Sequence, residues 1–251
     1  MEARRPEAHA LVRVRPVQVL CTIMAAAAML LAATLAARAA DDPNAKATAL
    51  VASVKTSLDT YFSHKEWEAV RNFLGGARAI YIAPTVTKLG FIVGFSGGDG
   101  VLLRRHGDSW SDPVFLAIKA QSVGMQLGAQ ESNLVMLIMT DAGVDDLLAG
   151  VSKVGGTSGF ALASWGAGAS AGGGTAGGLQ VLTVSTNSGL FGGGGLERSE
   201  MEPSKDYNDA VYGANADLKA VAAGTGSGKA SAAALQALLK QATTQAWGAS
   251  P

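Results

Sequence analysis

Apolar residues recur every three or four positions through the segment 43–62. Leu50, Val51, Val54, Leu58, Tyr61 and Phe62 fall on one stripe, while Lys46, Lys55, Asp59, Lys65 and Glu66 mostly fall elsewhere. That spacing predicts an amphipathic helix over 43–74, with Pro43 in its first turn and Gly75-Gly76 at its end. From Ala79 the period changes to two. Val123, Met125, Leu127 and Ala129 alternate with Gly124, Gln126, Gly128 and Gln130, the pattern of a strand with one buried face. Further strands are expected at 80–83, 90–95, 101–105, 114–118, 134–139, 160–165 and 179–185. The stretch 134–139 is apolar throughout, so it should be covered on both faces.

The spacings between these strands are short and rich in Gly, Asp, Ser and Pro, which predicts hairpins rather than helical crossovers. Thr140-Asp141 can cap a helical turn through Leu148, and Pro203-Ser204 opens another over 204–212, stopped by Gly213. The fold class is therefore α+β: a mostly antiparallel, glycine-rich sheet over 79–200, barrel-like or two-layer, with an N-terminal amphipathic helix and short helical inserts. After it, 222–227 reads as a linker and 230–247 as an alanine-rich helix with Leu235, Leu238 and Leu239 on one side. All 32 glycines fall after residue 39, about twice the usual ~7% share. Some occupy strand positions, where they allow close backbone approach, and those at 166–178 suit a flexible loop.

Ahead of the helix, Arg4, Arg5, Arg13 and Arg15 precede an uncharged run at 17–37, and Ala37-Arg38-Ala39 follows as a cleavage signal. This order predicts a signal peptide over 1–39, cleaved after Ala39, and hence an exported protein of the periplasm or envelope. The run is also long enough for an uncleaved anchor. Cys21, the only cysteine, lies inside the run rather than after it, where a lipoprotein cysteine would stand. Removal of 1–39 leaves 15 basic and 18 acidic residues, a balance that excludes a phosphate-neutralising nucleic-acid footprint. It leaves no cysteine for disulfides or thiolate metal sites.

Candidate chemistry is thin. Gly94-Phe95-Ser96-Gly97-Gly98 fits G-x-S-x-G, but a nucleophile elbow needs a helix after the serine and a later acid and histidine. Here His106 is the only downstream histidine and Asp99 the only carboxylate between it and Ser96. The expected reading is a hairpin loop over 96–100, with Gly97, Gly98 and Gly100 supplying positive φ. Gly224-Thr-Gly-Ser-Gly-Lys229 lacks the leading glycine and the trailing hydroxyl of a phosphate loop. His64 and His106 have no second histidine or cysteine nearby, and the acidic clusters Asp145-Asp146 and Glu197-Glu200-Glu202 lack calcium-loop spacing. No cofactor or metal is implied. Trp110, Trp165, Phe191 and the helix stripe are expected to pack on the sheet rather than enter a membrane.

Several strings, in order, resemble one family: Ile80-Tyr-Ile-Ala-Pro-Thr-Val-Thr-Lys-Leu-Gly-Phe-Ile-Val-Gly94, Gly98-Asp-Gly-Val-Leu102, Trp110-Ser111 with Pro113, the 122–130 segment, Ser188-Gly-Leu-Phe-Gly192 and Tyr212-Gly213. They are similar to the SYLF domain, a lipid-binding module, over about residues 47–222, which sets the domain at 40–221. The resemblance implies a non-enzymatic protein whose partner is phospholipid or a membrane surface. Eukaryotic relatives bind phosphoinositides, and some fungal ones bind actin. Lys88, Arg104, Arg105, Lys119 and Lys153, beside strand ends, are the expected headgroup partners. The alternative is a structural envelope module that self-associates as a homo-oligomer or holds a protein partner, without a lipid ligand.

Overall fold

In the computed structural model the helical stripe becomes α1, Pro43–Ser63, which buries Ala47, Val51, Val54, Leu58 and Tyr61 at alternating spacings of four and three. The structure describes residues 42–63, 68–90, 93–123, 128–149, 152–154, 160–165, 181–188, 199–225 and 232–246. The leader with Cys21, the 166–178 glycines, Phe191 and most of the 224–229 string lie outside them. On the outer side of α1, Thr48, Thr56 and Thr60 hydroxyls donate to the carbonyls four residues back. A second helix, α2 (Glu68–Leu74), follows. Arg71 donates to the Phe62 carbonyl at 2.7 Å and ties it to the end of α1. The expected single helix over 43–74 is thus described as two.

The strands are β1 (Ala79–Gly90), β2 (Val93–His106), β3 (Ser109–Trp110), β4 (Val114–Val123), β5 (Gly128–Ile138), β6 (Ser152–Val154), β7 (Phe160–Trp165), β8 (Val181–Ser188) and β9 (Ser199–Pro203). Among the described residues they make one sheet in the order β6-β9-β4-β2-β1-β5-β8-β7, with β3 beside β2. All pairs are antiparallel except β7–β8, which is parallel. The α+β class and the mostly antiparallel sheet stand as expected. Among the described residues the ladder runs from β6 to β7 without closing, so it is one open sheet with helices on both faces rather than a barrel. The β1–β2 hairpin is inserted between β4 and β5, which are not neighbours.

Alternation along the central strands divides the apolar residues between two cores. Ile80, Ile82, Val101, Leu103, Phe115, Val135 and Leu137 face α1 and two further helices, α4 (Lys205–Tyr212) and α6 (Ala233–Thr244). Tyr81, Leu102, Leu116, Leu134, Met136 and Ile138 face α3 (Asp141–Leu148), α5 (Leu218–Ala222) and Met201. The apolar 134–139 run is covered on both sides for this reason. The α6 helix docks through Leu235, Leu239 and Ala242, and Trp110 is buried in the same core. Caps set the short helices. Thr140 Oγ1 accepts from Gly143 N at 3.1 Å, Asp217 accepts from Lys219 N and Ala220 N, and Gly213 ends α4 at φ 91°.

Two expectations are corrected here. The 96–100 segment is no turn: β2 runs unbroken through it, paired with β1 on one side and β4 on the other. Gly97, Gly98 and Gly100 do not adopt positive φ; among the described residues the glycines that do are Gly107, Gly213 and Gly224. The β1–β2 reversal instead falls between Gly90 and Val93, inside the expected 90–95 strand, with Gly90 paired to Gly94. Likewise the 122–130 alternation belongs to two strands, since β4 ends at Val123 and β5 begins at Gly128. The glycines in β2 answer a different need. Pro84, buried in β1, cannot donate to the ladder, and the register shifts there by a bulge. The bulge brings Thr85 O to 2.3 Å from where a Gly98 Cβ would stand. At Gly100 the same atom would meet Ile82 O at 2.4 Å and the Tyr81 ring at 2.6 Å.

Candidate functional site

Residues opposite one another in a sheet share a register level, and one level crosses seven strands here. Lys153 (β6) pairs with Glu200 (β9), which pairs with Lys119 (β4), then Gly97 (β2), Thr87 (β1), Glu131 (β5) and Ser188 (β8). The charges on the level read Lys, Glu, Lys and Glu; the first three stand on adjacent strands, an order in which cross-strand neighbours attract, while Gly97 and Thr87 separate Lys119 from Glu131. Lys119 also ion-pairs with Glu202, two residues further along β9. On the inner side of this line both faces of the sheet are packed with the two cores. On the outer side the described parts of β1, β2, β4 and β5 (residues 88–90, 93–96, 120–123 and 128–130) hold one charge, Lys88. In sequence 89–98 and 120–130 carry none. Phe95 stands in this outer zone and is 57% exposed. Its register neighbours are Leu89 on β1 and Gln121 on β4.

Asp99 marks the border between core and line. It is half-buried, two positions inward of Gly97 on β2, and it hydrogen-bonds Tyr207 of α4. Tyr207 in turn packs edge-on against Phe115, with ring centroids 5.8 Å apart. Burial pushes the Asp99 carboxyl above its usual range, against the pull of Lys119 and of the Tyr207 hydrogen bond. Burial, and secondarily the Asp99 charge, pushes the Tyr81 phenol up as well; its hydroxyl donates to the Leu116 carbonyl at 3.2 Å. A carboxyl raised this way favours the folded state while protonated, and that contribution is lost as pH rises past about 4. Asp99→Asn, which cannot ionise, is expected to melt a few degrees above the parent at pH 7 and with it below about pH 3. Calorimetric melting across that range checks this; an equal offset at both ends would rule out burial of the charge as the cause.

The five basic residues expected to meet headgroups fall at two ends of the sheet. Arg104 and Arg105 close the inner end of β2. Arg104 pairs with Asp141 at 2.7 Å and Asp145 at 3.4 Å, both on α3, while Arg105 donates to the carbonyls of Gly107 and Gly75. Lys119 and Lys153 share the charged level, and Lys88 stands one register step beyond it, opposite Ser96. Ser96, Asp99 and His106 all lie on β2. The ten residues from Ser96 to His106 span about 33 Å, too far for a triad. His106 instead donates through Nε2 to the Ala222 carbonyl at 2.7 Å. Sequence reasoning missed the charged level, Asp99 with Tyr207, and Phe95 as an exposed side chain.

The fold and this end define an open-sheet α+β domain whose distinctive surface is a sheet end with one charge, Lys88, among its described residues, bounded by a line of alternating charge. Residues 119–242 match the Ysc84 family, described as "Las17-binding protein actin regulator". The match falls on the family that the chain's strings resemble, the Ysc84/SYLF family. Relatives include an SH3 domain-containing protein of Schizosaccharomyces pombe, 32% identical over 56% of this chain and 34% of its own length. Another is "SH3 domain-containing YSC84-like protein 1" of Bos taurus, 31% identical over 51% of this chain and 38% of its own. A third is "LAS seventeen-binding protein 3" of Saccharomyces cerevisiae, 28% identical over 56% and 31%. The chain thus spans about a third of the length of these relatives. Of these names, that of the Saccharomyces cerevisiae relative is that of a binding protein.

Proposed function

We propose that this chain is a non-enzymatic lipid- or membrane-binding protein, exported to the cell envelope behind its basic and apolar leader. The observation that carries the reading is Phe95, exposed at the outer end of the sheet in a chain whose residues 119–242 match the Ysc84/SYLF family. The α1 stripe is spent on the core and cannot also face lipid. Among the described residues no helix is long and apolar enough to cross a membrane. Lys88, Lys119 and Lys153 stand nearest that end and are the headgroup partners this reading favours.

The test is co-sedimentation. The chain from residue 40 onward is expected to pellet with phospholipid vesicles, anionic ones included, in low salt; no binding to any phospholipid would refute the reading. The family description, which names a protein partner, supports a second reading in which the chain holds a protein in the envelope. Solution mass separates a self-associating form from a monomer. Removing residues 222–251 is not a clean control for it, because Leu235 and Leu239 are core residues.

A further inference from the structure

We infer that the outer end of the sheet enters the bilayer interface directly, with Phe95 as its apolar anchor and the Lys153–Glu200–Lys119–Thr87–Glu131 level as the line where it stops. The inference rests on the lipid-binding reading and says how that binding is made.

Three observations carry it. First, polarity changes along the strand direction rather than across one face. Successive strand positions belong to opposite faces, and neither 93–98 on β2 nor 120–123 on β4 carries a charge; Lys88 on β1 is the one charge in the described zone. A protein partner covers one face and leaves the other in water, whereas a bilayer surrounds both equally. Second, the depth is right. Val93 lies four strand steps from Gly97 on the charged level, about 13 Å of strand, close to the ~5–10 Å reached by interfacial elements. Third, the backbone suits an apolar medium. In this zone β1 and β2 are each paired on both sides, by β5 and β2 and by β1 and β4, so their ladder groups are satisfied.

Charge attraction is a poor alternative to insertion. The line alternates in sign, and Lys119 is already paired with Glu202. The Phe95 side chain is also small as a protein contact. A phenylalanine offers roughly 150–250 Å², against the ~800 Å² per partner of a stable interface.

The experiment uses residues 40–251, which contain the compact unit 43–251 and both cores, with vesicles of pure phosphatidylcholine. At about 0.5 M NaCl, where exposed charges are screened within roughly 5 Å, partitioning is expected to stay within about twofold of its low-salt value. Phe95→Asp should lower it about tenfold or more. Phe73→Asp, at the other large apolar residue exposed among the described ones, on α2 at the inner end, should leave it within about twofold. Phe95→Cys and Phe73→Cys give an independent measure, because 40–251 has no cysteine of its own. An environment-sensitive dye should shift to the blue on vesicle binding at 95 and not at 73.

Vesicle binding by the parent that salt abolishes, or that Phe95→Asp leaves intact, overturns the inference and spares the lipid-binding reading. A dye response at 73 instead of 95 does the same. A change of solution mass by Phe95→Asp without lipid makes a second copy the occupant. No binding of the parent to any vesicle overturns both.

Discussion

Gly100→Ala is expected to cost about 3 kcal/mol or more, enough to leave much of the protein unfolded at 37 °C. The new methyl group would stand 2.4 Å from Ile82 O and 2.6 Å from the Tyr81 ring, and neither can retreat. Ile82 belongs to a strand paired on both sides, and Tyr81 is fully buried with its hydroxyl bonded to Leu116 O. Gly98→Ala should behave alike, because Thr85 O lies 2.3 Å and Val86 Cα 3.1 Å from its Cβ position. Gly97→Ala is the contrast. Its Cβ would meet Ile118 O at 3.5 Å, an ordinary contact, so the change should be near neutral, with the gain in chain stiffness worth a few tenths of a kcal/mol. Urea midpoints followed by circular dichroism give all three values. If Gly98→Ala and Gly100→Ala proved no worse than Gly97→Ala, close backbone approach would not be what selects glycine here.

These glycines also show where the sequence misleads. A cluster such as Gly97-Gly98-Asp99-Gly100 looks the same in a turn and in a strand pressed by its neighbour. What separates the two is the Pro84 bulge and the Tyr81 ring, which act through pairing rather than local propensity. The 122–130 alternation misled similarly: a period of two can continue on either side of a reversal, as it does between β4 and β5. Local signals were read correctly where local physics decides. The α1 stripe, the Thr140 cap, Pro203-Ser204 and Gly213 all mark elements that form as expected. Helix α5 was missed because its signal is five residues and one capping aspartate. The candidate site was legible only in fragments. The charge-free runs 89–98 and 120–130 can be seen in the sequence, but their alignment behind one charged level requires the strand order. Arg104 and Lys119 looked available because their partners Asp141, Asp145 and Glu202 are distant along the chain.

Asn208→Leu is the other change expected to be severe, at about 2–4 kcal/mol. The β9 strand leaves the ladder at Pro203, paired with Leu116, and Ser204 N donates to Phe115 O at 2.9 Å before the chain enters α4. Phe115 N–H then faces a helix where a strand would otherwise continue. Asn208 replaces the missing strand: its Oδ1 accepts from Phe115 N at 3.0 Å, and its Nδ2 donates to Phe115 O at 2.8 Å and Ser204 O at 2.9 Å. Leucine keeps the branched outline, though it is bulkier, but strands a buried donor and removes two further bonds. Asn208→Asp discriminates between volume and hydrogen bonding. Its carboxylate could still accept from Phe115 N but would face two carbonyl oxygens, so its folded-state pKa would rise. The variant should then be destabilised above about pH 4 and partly recover below it, whereas Asn208→Leu should be equally weak at both. A pH series of urea midpoints reads the difference, and equal losses for the two variants at every pH would make packing the cause. The consequence reaches the candidate site. Tyr207, which holds Asp99, precedes Asn208 on α4, and Glu200 and Glu202 lie on the strand that leads into it. Loosening this joint should therefore weaken the charged level before it disturbs α3 on the opposite face.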